Sequence, residues 1–149
     1  HFVSKEQFEE MIARDEVLEH AEFCGNYYGT PRDAVEAMRN EGKNVILEIE
    51  VQGAQQVMQK CPDAVSIFIA PPSMTELEKR LRGRGTEAEA VIQKRLATAS
   101  GELKDPPNYK YLVVNDQVET AAQEILTILA AEQIHQINKE EKVKEVLES

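Results

Sequence analysis

Strand-length apolar runs alternate with segments of helical periodicity along most of this 149-residue chain. Three runs have the length and composition of strands: NVILEIEV (44–51), AVSIFIAPP (64–72) and KYLVVND (110–116). Because parallel strands need long crossover connections, usually helices, this order favours an α/β protein with parallel strands. We expect the run at 64–72 to be buried on both faces of the sheet and the run at 110–116 to be buried as well.

The first 43 residues have shorter elements and more turn residues. Ser4 precedes a short amphipathic segment and is expected to cap a helix. VLEHAEF (17–23) is a predicted strand that breaks at Gly25 and resumes at Tyr27 and Tyr28, which indicates a small inserted sheet.

A second helix is predicted after this sheet. Thr30 is expected to be its N-cap and Pro31 its first residue, because proline suits the first helical position. Gly42 is expected to end it. Its inward-facing residues should be Ala34, Val35 and Met38.

The composition limits the possible partners. With 17 basic and 27 acidic side chains, the net charge of −10 argues against a surface that coats nucleic acid, although a local arginine cluster can still attract a small anion. No apolar run is long enough to span a membrane, and Cys24 and Cys61 lack the spacing of metal ligands. We therefore expect a cytoplasmic protein with reduced thiols and no nucleic-acid or membrane partner.

Polar residues near the ends of two predicted strands are candidate ligand contacts. Glu48 and Glu50 share one face of the first strand near its carboxyl end, where ligands of parallel sheets bind. They can contact a ligand or metal-bound water, or they can simply face solvent on a half-exposed strand. Asn115 and Asp116 end the last strand, a position where these residues ordinarily begin a turn.

An arginine-rich segment, KRLRGRGTEAEAVIQKRL (79–96), follows the second predicted strand. Arg84 lies between two glycines and before a helix that Thr86 is expected to cap, and Arg95 follows on that helix. A guanidinium on such a segment suits a lid that closes over a phosphoryl group. Arg80 is interpreted instead as a surface residue that pairs with Glu76 one helical turn earlier.

Taken in order, EHAEFCGNYYGTP, ILEIEVQGAQQV, FIAPPS, LRGRGT and VVND resemble the motifs of guanylate kinases. The resemblance covers the chain from Phe2 to about Ala131. It implies a P-loop nucleoside-monophosphate-kinase-like α/β fold, with a parallel sheet core, helices on both faces, a small inserted mixed-sheet GMP-binding region and a helical lid. We accordingly expect a mainly GMP-binding region at 1–43, core at 44–79, the lid at 80–100, and core with the C-terminal helix at 101–149.

The resemblance also implies roles for residues at the GMP site. Tyr28 would hydrogen-bond the GMP phosphate, Glu19 would accept hydrogen bonds from the guanine N1 and N2 groups, and Thr30 would contact the region of O6. Such a carboxylate rejects adenine, which has no donors at those positions. Glu50 corresponds to a residue at the guanine edge that is usually Asp in the family.

For phosphoryl transfer, the resemblance implies catalytic roles for the lid residues Arg84 and Arg95. Glu48 would lie near the water shell of Mg²⁺, and Asn115 would lie near the adenine of ATP. The implied activity is transfer of the γ-phosphoryl group of ATP to GMP, giving ADP and GDP, by a monomer or homodimer.

The alternative function is a non-catalytic guanylate-kinase-like module that binds phosphorylated peptides, but the lid arginines and strand carboxylates favour the enzyme. The 149 residues contain no GxxGxGK[ST] phosphate loop and no strand preceding it. Because a sheet without its central strand exposes apolar surface and unpaired edges, we expect the first strand and the loop to exist upstream in the molecule.

Overall fold

The protein forms six helices and four strands within the part of the chain that this computed structural model describes, residues 2–23, 26–85, 88–104 and 108–148. Predictions that involve Gly25 and the Thr86 cap lie outside these residues. The chain divides into two compact units, His1–Ala64 and Val65–Ser149. In order, the elements are α1 (Lys5–Ala13), β1 (Val17–Phe23), β2 (Asn26–Pro31), α2 (Arg32–Asn40), α3 (Val51–Lys60), β3 (Ile67–Ala70), α4 (Met74–Gly83), α5 (Glu89–Lys104), β4 (Tyr111–Val114) and α6 (Val118–Glu148).

The first unit is built on an antiparallel pair, β1 and β2, which confirms the small sheet predicted in this region. Glu19 lies opposite Thr30, and Ala21 lies opposite Tyr28. Directly opposite residues of an antiparallel pair point to the same side. The hairpin therefore presents Glu19, Thr30 and Tyr28 on one face.

The helix caps of the first unit agree only in part with those predicted from the sequence. The predicted cap at Ser4 is confirmed: its hydroxyl accepts a hydrogen bond from the Gln7 amide at 3.2 Å, and the Gln7 side chain accepts one from the Ser4 amide at 2.9 Å. The predicted cap at Thr30 is wrong, because α2 begins at Arg32 and Pro31 is its N-cap residue. Thr30 instead remains in β2, where its hydroxyl donates a hydrogen bond to Glu19.

The burial of side chains on helix α2 also differs from the prediction. Ala34 and Met38, predicted to face inward, are exposed, and Val35 is half-buried. The helix ends before Gly42, as predicted, and Gly42 adopts a φ of 77°, a conformation that glycine tolerates best.

Helix α3 lies along the outer edge of β1 and replaces a neighbouring strand there. The Gln56 side chain donates to the His20 carbonyl at 3.0 Å and accepts from the His20 amide at 3.2 Å. One turn later, the Lys60 ammonium donates to the Val17 carbonyl at 2.7 Å. These bonds satisfy polar groups that an edge strand otherwise leaves open, while Val57 on the same helix is buried in the core.

The strand predicted at 44–51 is not formed in this structure, and α3 already begins at Val51. Exposure nevertheless alternates as predicted: Val45, Leu47 and Ile49 are half-buried, while the residues between them are exposed. The alternation requires only an extended chain with one covered side, whereas a strand also requires hydrogen bonds to a neighbour. No described strand pairs with this segment.

The second unit contains the parallel pair β3 and β4, with Ile67 opposite Tyr111 and Ala70 opposite Val114. This pairing confirms the parallel strands expected from the sequence. Val113 is fully buried, but Leu112 is 50% exposed and Ile69 is 46% exposed. The expectation of strands buried on both faces is therefore wrong here, because the described elements leave part of each strand uncovered.

Long helix α6 is attached to β4 by one carboxylate. Glu132, on α6, accepts a hydrogen bond from the Tyr111 hydroxyl and lies 2.8 Å from the Lys110 ammonium. The hydrogen bond to Glu132 raises the pKa of the Tyr111 hydroxyl above its ordinary value.

Within the described residues, no helix is long and apolar enough to cross a membrane.

Helices α4 and α5 are joined by an ion-pair network at the base of the predicted lid. The Arg82 guanidinium binds both oxygens of Glu89, at 2.5 and 2.8 Å, and its Nε donates to Glu78 at 2.9 Å. Both oxygens of a carboxylate fit the two parallel donors of one guanidinium. Arg82 therefore connects the end of α4 to the start of α5.

We expect the Glu89 carboxylate to remain ionised at about pH 3.5, because the Arg82 hydrogen bonds lower its pKa from 4.5 to about 2. A lowered folded-state pKa stabilises the fold above pH 4.5, and this contribution is lost as the pH falls toward 2. At about pH 3.5, carboxyl-carbon NMR should show Glu89 largely protonated in Arg82→Met but not in the control Arg39→Met. A Glu89 midpoint near 4.5 in the unmodified protein would contradict the network.

Candidate functional site

The candidate site of the first unit centres on a buried carboxylate. Glu19 is only 6% exposed, although it carries a charge that is costly to remove from water. The Thr30 hydroxyl, directly opposite on β2, donates a hydrogen bond to Glu19 Oε1 at 2.7 Å. The structure therefore brings together two residues that the sequence assigns to one site.

Glycine at position 53 leaves room for this carboxylate. Gly53 is the third residue of α3, and a Cβ built on it would lie 2.7 Å from Glu19 Oε2. Side-chain atoms do not approach a Cβ so closely without a shift. Glu19 is thus enclosed between Thr30 on one side and the first turn of α3 on the other.

The two adjacent tyrosines of β2 have different environments. Tyr27 packs against Phe8 of α1, with ring centroids 5.7 Å apart, and the Lys5 ammonium lies 5.3 Å from its ring centre. Tyr28 is 57% exposed and shares the hairpin face of Glu19 and Thr30. Tyr27 therefore contributes to packing, while the phenol of Tyr28 remains available to a ligand.

Replacing Thr30 should separate the role of its hydroxyl from that of its shape. Thr30→Val keeps the shape but leaves Glu19 Oε1 without this donor, so we expect the free energy of unfolding to fall by about 1–3 kcal/mol. Thr30→Ser keeps a hydroxyl and should lose much less. Urea unfolding measures both values, and equal losses in the two variants would show that the hydrogen bond to Glu19 does not matter.

Glu48 and Glu50 are both exposed on the extended segment before α3, and Glu50 is the N-cap residue of that helix. They share the outward face of the alternating pattern, as the sequence predicts. Among the described residues, no group of three or more potential ligand side chains could hold a metal ion by itself. Magnesium usually binds through one or two carboxylates plus substrate phosphates, so a single carboxylate such as Glu48 fits the predicted role.

The two arginines predicted to lie in a lid belong to the second unit and are exposed. Arg84 is the C-cap residue of α4, and Arg95 lies in α5. Arg84 therefore lies at the surface within the segment that the Arg82 and Glu89 pair spans, and Arg95 lies at the surface beyond it.

Asn115 follows β4 and has a paired backbone amide but an unpaired side-chain oxygen. Its backbone amide donates to the Ala70 carbonyl at 2.8 Å, which continues the β3–β4 pairing into the turn. Its side-chain oxygen Oδ1 is buried without a hydrogen-bond partner in the described part of the chain. Unpaired buried acceptors are uncommon and costly, and they are candidates for a functional role.

Arg80 is the residue whose role the sequence did not reveal. Its predicted pairing with Glu76 is confirmed at 2.9 Å, and this hydrogen bond lowers the pKa of the Glu76 carboxyl. The guanidinium also donates to the Asn115 carbonyl at 2.7 Å and to the Asp116 carbonyl at 3.1 Å. These partners are more than 30 residues away in sequence, so helical spacing offers no signal for them. Arg80 holds the turn that carries Asn115.

We expect Arg80→Lys to loosen that turn, because one ammonium cannot reproduce a planar guanidinium that reaches Glu76 and two carbonyls. The free energy of unfolding should fall by about 1–2 kcal/mol, and amide exchange at Asp116 and Gln117 should accelerate. Arg39→Lys, on the exposed helix α2, is the matched control. Unchanged exchange in Arg80→Lys would show that its contacts do not order the turn.

Parallel pairing of β3 and β4 through helical connections, together with the β1–β2 hairpin, is that of an α/β protein, and a structural match to a solved guanylate kinase makes it one of the nucleoside-monophosphate-kinase type. The family model described as guanylate kinase matches residues 1–132. The chain belongs to the guanylate kinase family.

Individual relatives agree with this assignment. The guanylate kinase of Desulfitobacterium hafniense (strain Y51) is 55% identical over 132 residues, and that of Escherichia coli (strain K12) is 53% identical over 133 residues. Each alignment covers 89% of this chain, and 66% and 64% of the respective relatives. The crystal structure of guanylate kinase from Anaplasma phagocytophilum matches with a TM-score of 0.69 and 38% identity, over 90% of this chain and 65% of that one.

These comparisons confirm the fold class and the family expected from the sequence. The chain spans slightly less than two thirds of the length of these relatives.

Proposed function

We propose that this protein is an ATP:GMP phosphotransferase, which converts GMP and ATP to GDP and ADP. The observation that carries this proposal is the buried Glu19 carboxylate, hydrogen-bonded by Thr30 on the hairpin face that also presents Tyr28. Family membership and the relatives named guanylate kinase support the same activity.

Recognition of guanine follows from the chemistry of Glu19. An ionised carboxylate only accepts hydrogen bonds, and guanine offers donors at N1 and N2, whereas adenine has none at the equivalent edge. A bound adenine would therefore leave a buried carboxylate without partners, which is strongly unfavourable. Thr30 orients the carboxylate and lies beside the proposed position of O6, and Glu50 offers a second acceptor at the base edge.

The phosphate of GMP would be bound by Tyr28, whose exposed phenol lies on the same face as the base-reading pair. The lid arginines Arg84 and Arg95 would neutralise the charge on the phosphoryl group during transfer. A phosphate oxygen of GMP is already anionic, so the reaction needs no strong general base. We assign residues 1–43 mainly to GMP binding and residues 80–100 to the lid.

The nucleotide donor would bind at the turn that Arg80 orders. The unpaired Oδ1 of Asn115 can turn toward a ligand without losing a hydrogen bond of its own in the described structure, and it would accept one from the exocyclic amine of adenine. Mg²⁺ bound with ATP would stabilise charge on the phosphates, and Glu48 would hold water molecules of its shell. We place this activity in the cytoplasm.

The decisive experiment compares GMP, AMP and UMP, each titrated calorimetrically into the 149-residue chain and each offered as acceptor in an ADP-release assay with ATP and Mg²⁺. We expect GMP to be preferred, and Glu19→Gln to reduce that preference by about 10- to 100-fold, because the amide nitrogen opposes guanine donors. Glu22→Gln, an exposed change on the same strand, is the control.

Equal binding of the three nucleotides would contradict guanine recognition. An equal effect of Glu22→Gln and Glu19→Gln would contradict the assignment of base reading to Glu19. Binding of GMP without ADP release by any preparation that includes these residues would favour a binding module over an enzyme.

A further inference from the structure

We infer that Gly53 determines guanine specificity by leaving space for the Glu19 carboxylate. This inference rests on the proposed function, since it concerns how the base-reading group of that site is held. Gly53 touches no reacting atom and acts through Glu19, so it is a positioning residue.

The geometry around position 53 shows why a side chain there would matter. A Cβ on Gly53 would lie 2.7 Å from Glu19 Oε2 and 3.3 Å from its Cδ, well inside normal contact distances. Both of these close atoms belong to the end of a flexible side chain rather than to the backbone. The added methyl group would therefore move the carboxylate while leaving the surrounding backbone in place.

The Glu19 carboxylate cannot move far without changing its orientation. Glu19 is buried, and its other oxygen, Oε1, accepts the 2.7 Å hydrogen bond from Thr30. A displacement away from α3 disturbs that bond and changes the direction of both oxygens together. Two donors on the base edge require both oxygens in a defined plane, so recognition of guanine is sensitive to this displacement.

The effect on folding should be small, because a gain in helix propensity offsets part of the cost of disturbing the Thr30 bond. Gly53 lies in α3, where alanine is intrinsically more favourable than glycine. Backbone contacts that hold the helix on β1 come from Gln56 and Lys60 and do not involve position 53. Loss of specificity without a large loss of stability therefore distinguishes a positioning role from a structural one.

The test compares Gly53→Ala with Gly101→Ala, a change inside helix α5 where an added Cβ meets nothing within 4 Å. Calorimetric titration with GMP, inosine monophosphate and AMP measures recognition, and thermal unfolding measures stability. We expect Gly53→Ala to weaken GMP binding by about 10- to 100-fold, with AMP binding unchanged and the melting temperature little changed. Inosine monophosphate lacks the N2 amine and should bind the unmodified protein more weakly than GMP does. This difference in affinity should shrink in Gly53→Ala. Gly101→Ala should change none of the nucleotide affinities.

A double variant tests the steric cause directly. Glu19→Asp shortens the side chain by one methylene, so adding Gly53→Ala to it should cost much less GMP affinity than Gly53→Ala costs alone. Fully additive losses would overturn the proposed contact.

The remaining outcomes separate the two proposals. Gly53→Ala with an unchanged preference for GMP over AMP, in a protein that has this preference, overturns the role of Gly53 and leaves the proposed function intact. An equal loss for all nucleotides together with lower stability overturns it as well, because the effect is then structural. An unmodified protein without preference for GMP overturns both proposals.

Discussion

A buried carboxylate imposes the main constraint on the first unit. Removing the charge of Glu19 from water is unfavourable unless hydrogen bonds replace the lost hydration. Thr30 supplies one such bond from the opposite strand, and the absence of a side chain at Gly53 allows α3 to close over the other oxygen. Strand register, helix position and residue size therefore all have to agree around one charged group.

Helix α3 meets this requirement through the periodicity of its inner face. Gly53, Gln56 and Lys60 are spaced by three and four residues, so they lie on one side of the helix. Gly53 meets a side chain of β1, whereas Gln56 and Lys60 bind its backbone at His20 and Val17. The same contacts that close the edge of the sheet also bring the helix against the carboxylate, which links the stability of the unit to the geometry of its candidate site.

A comparable arrangement orders the second unit around one guanidinium. Arg80 binds Glu76 within its own helix and the two carbonyls of the turn after β4. The turn is thereby fixed from outside, and the side-chain oxygen of Asn115 can remain without a partner. An ordered turn with an unused acceptor is suited to a ligand that supplies the missing donor.

Much of this could be predicted from the sequence, for identifiable reasons. The β1 strand and the Ser4 cap depend on local patterns, and the structure shows both of them. The Thr30 cap was mispredicted because a threonine before proline is a good helix start, while its strand partner Glu19 is invisible in a local window. The extended segment before α3 has the expected alternation of exposed and half-buried side chains. It forms no hydrogen-bonded β-ladder, because such pairing depends on a second strand.

The sequence by itself determined which residues alternate, cap, turn and carry charge, because those properties depend on neighbours within a few positions. It also identified the family, through motifs in a characteristic order. Only the tertiary structure decided that Thr30 donates to Glu19, that Gly53 must be small and that Arg80 holds the turn at Asn115. Each of those contacts joins residues from 11 to 36 positions apart, and such contacts arise only when packing brings distant elements together.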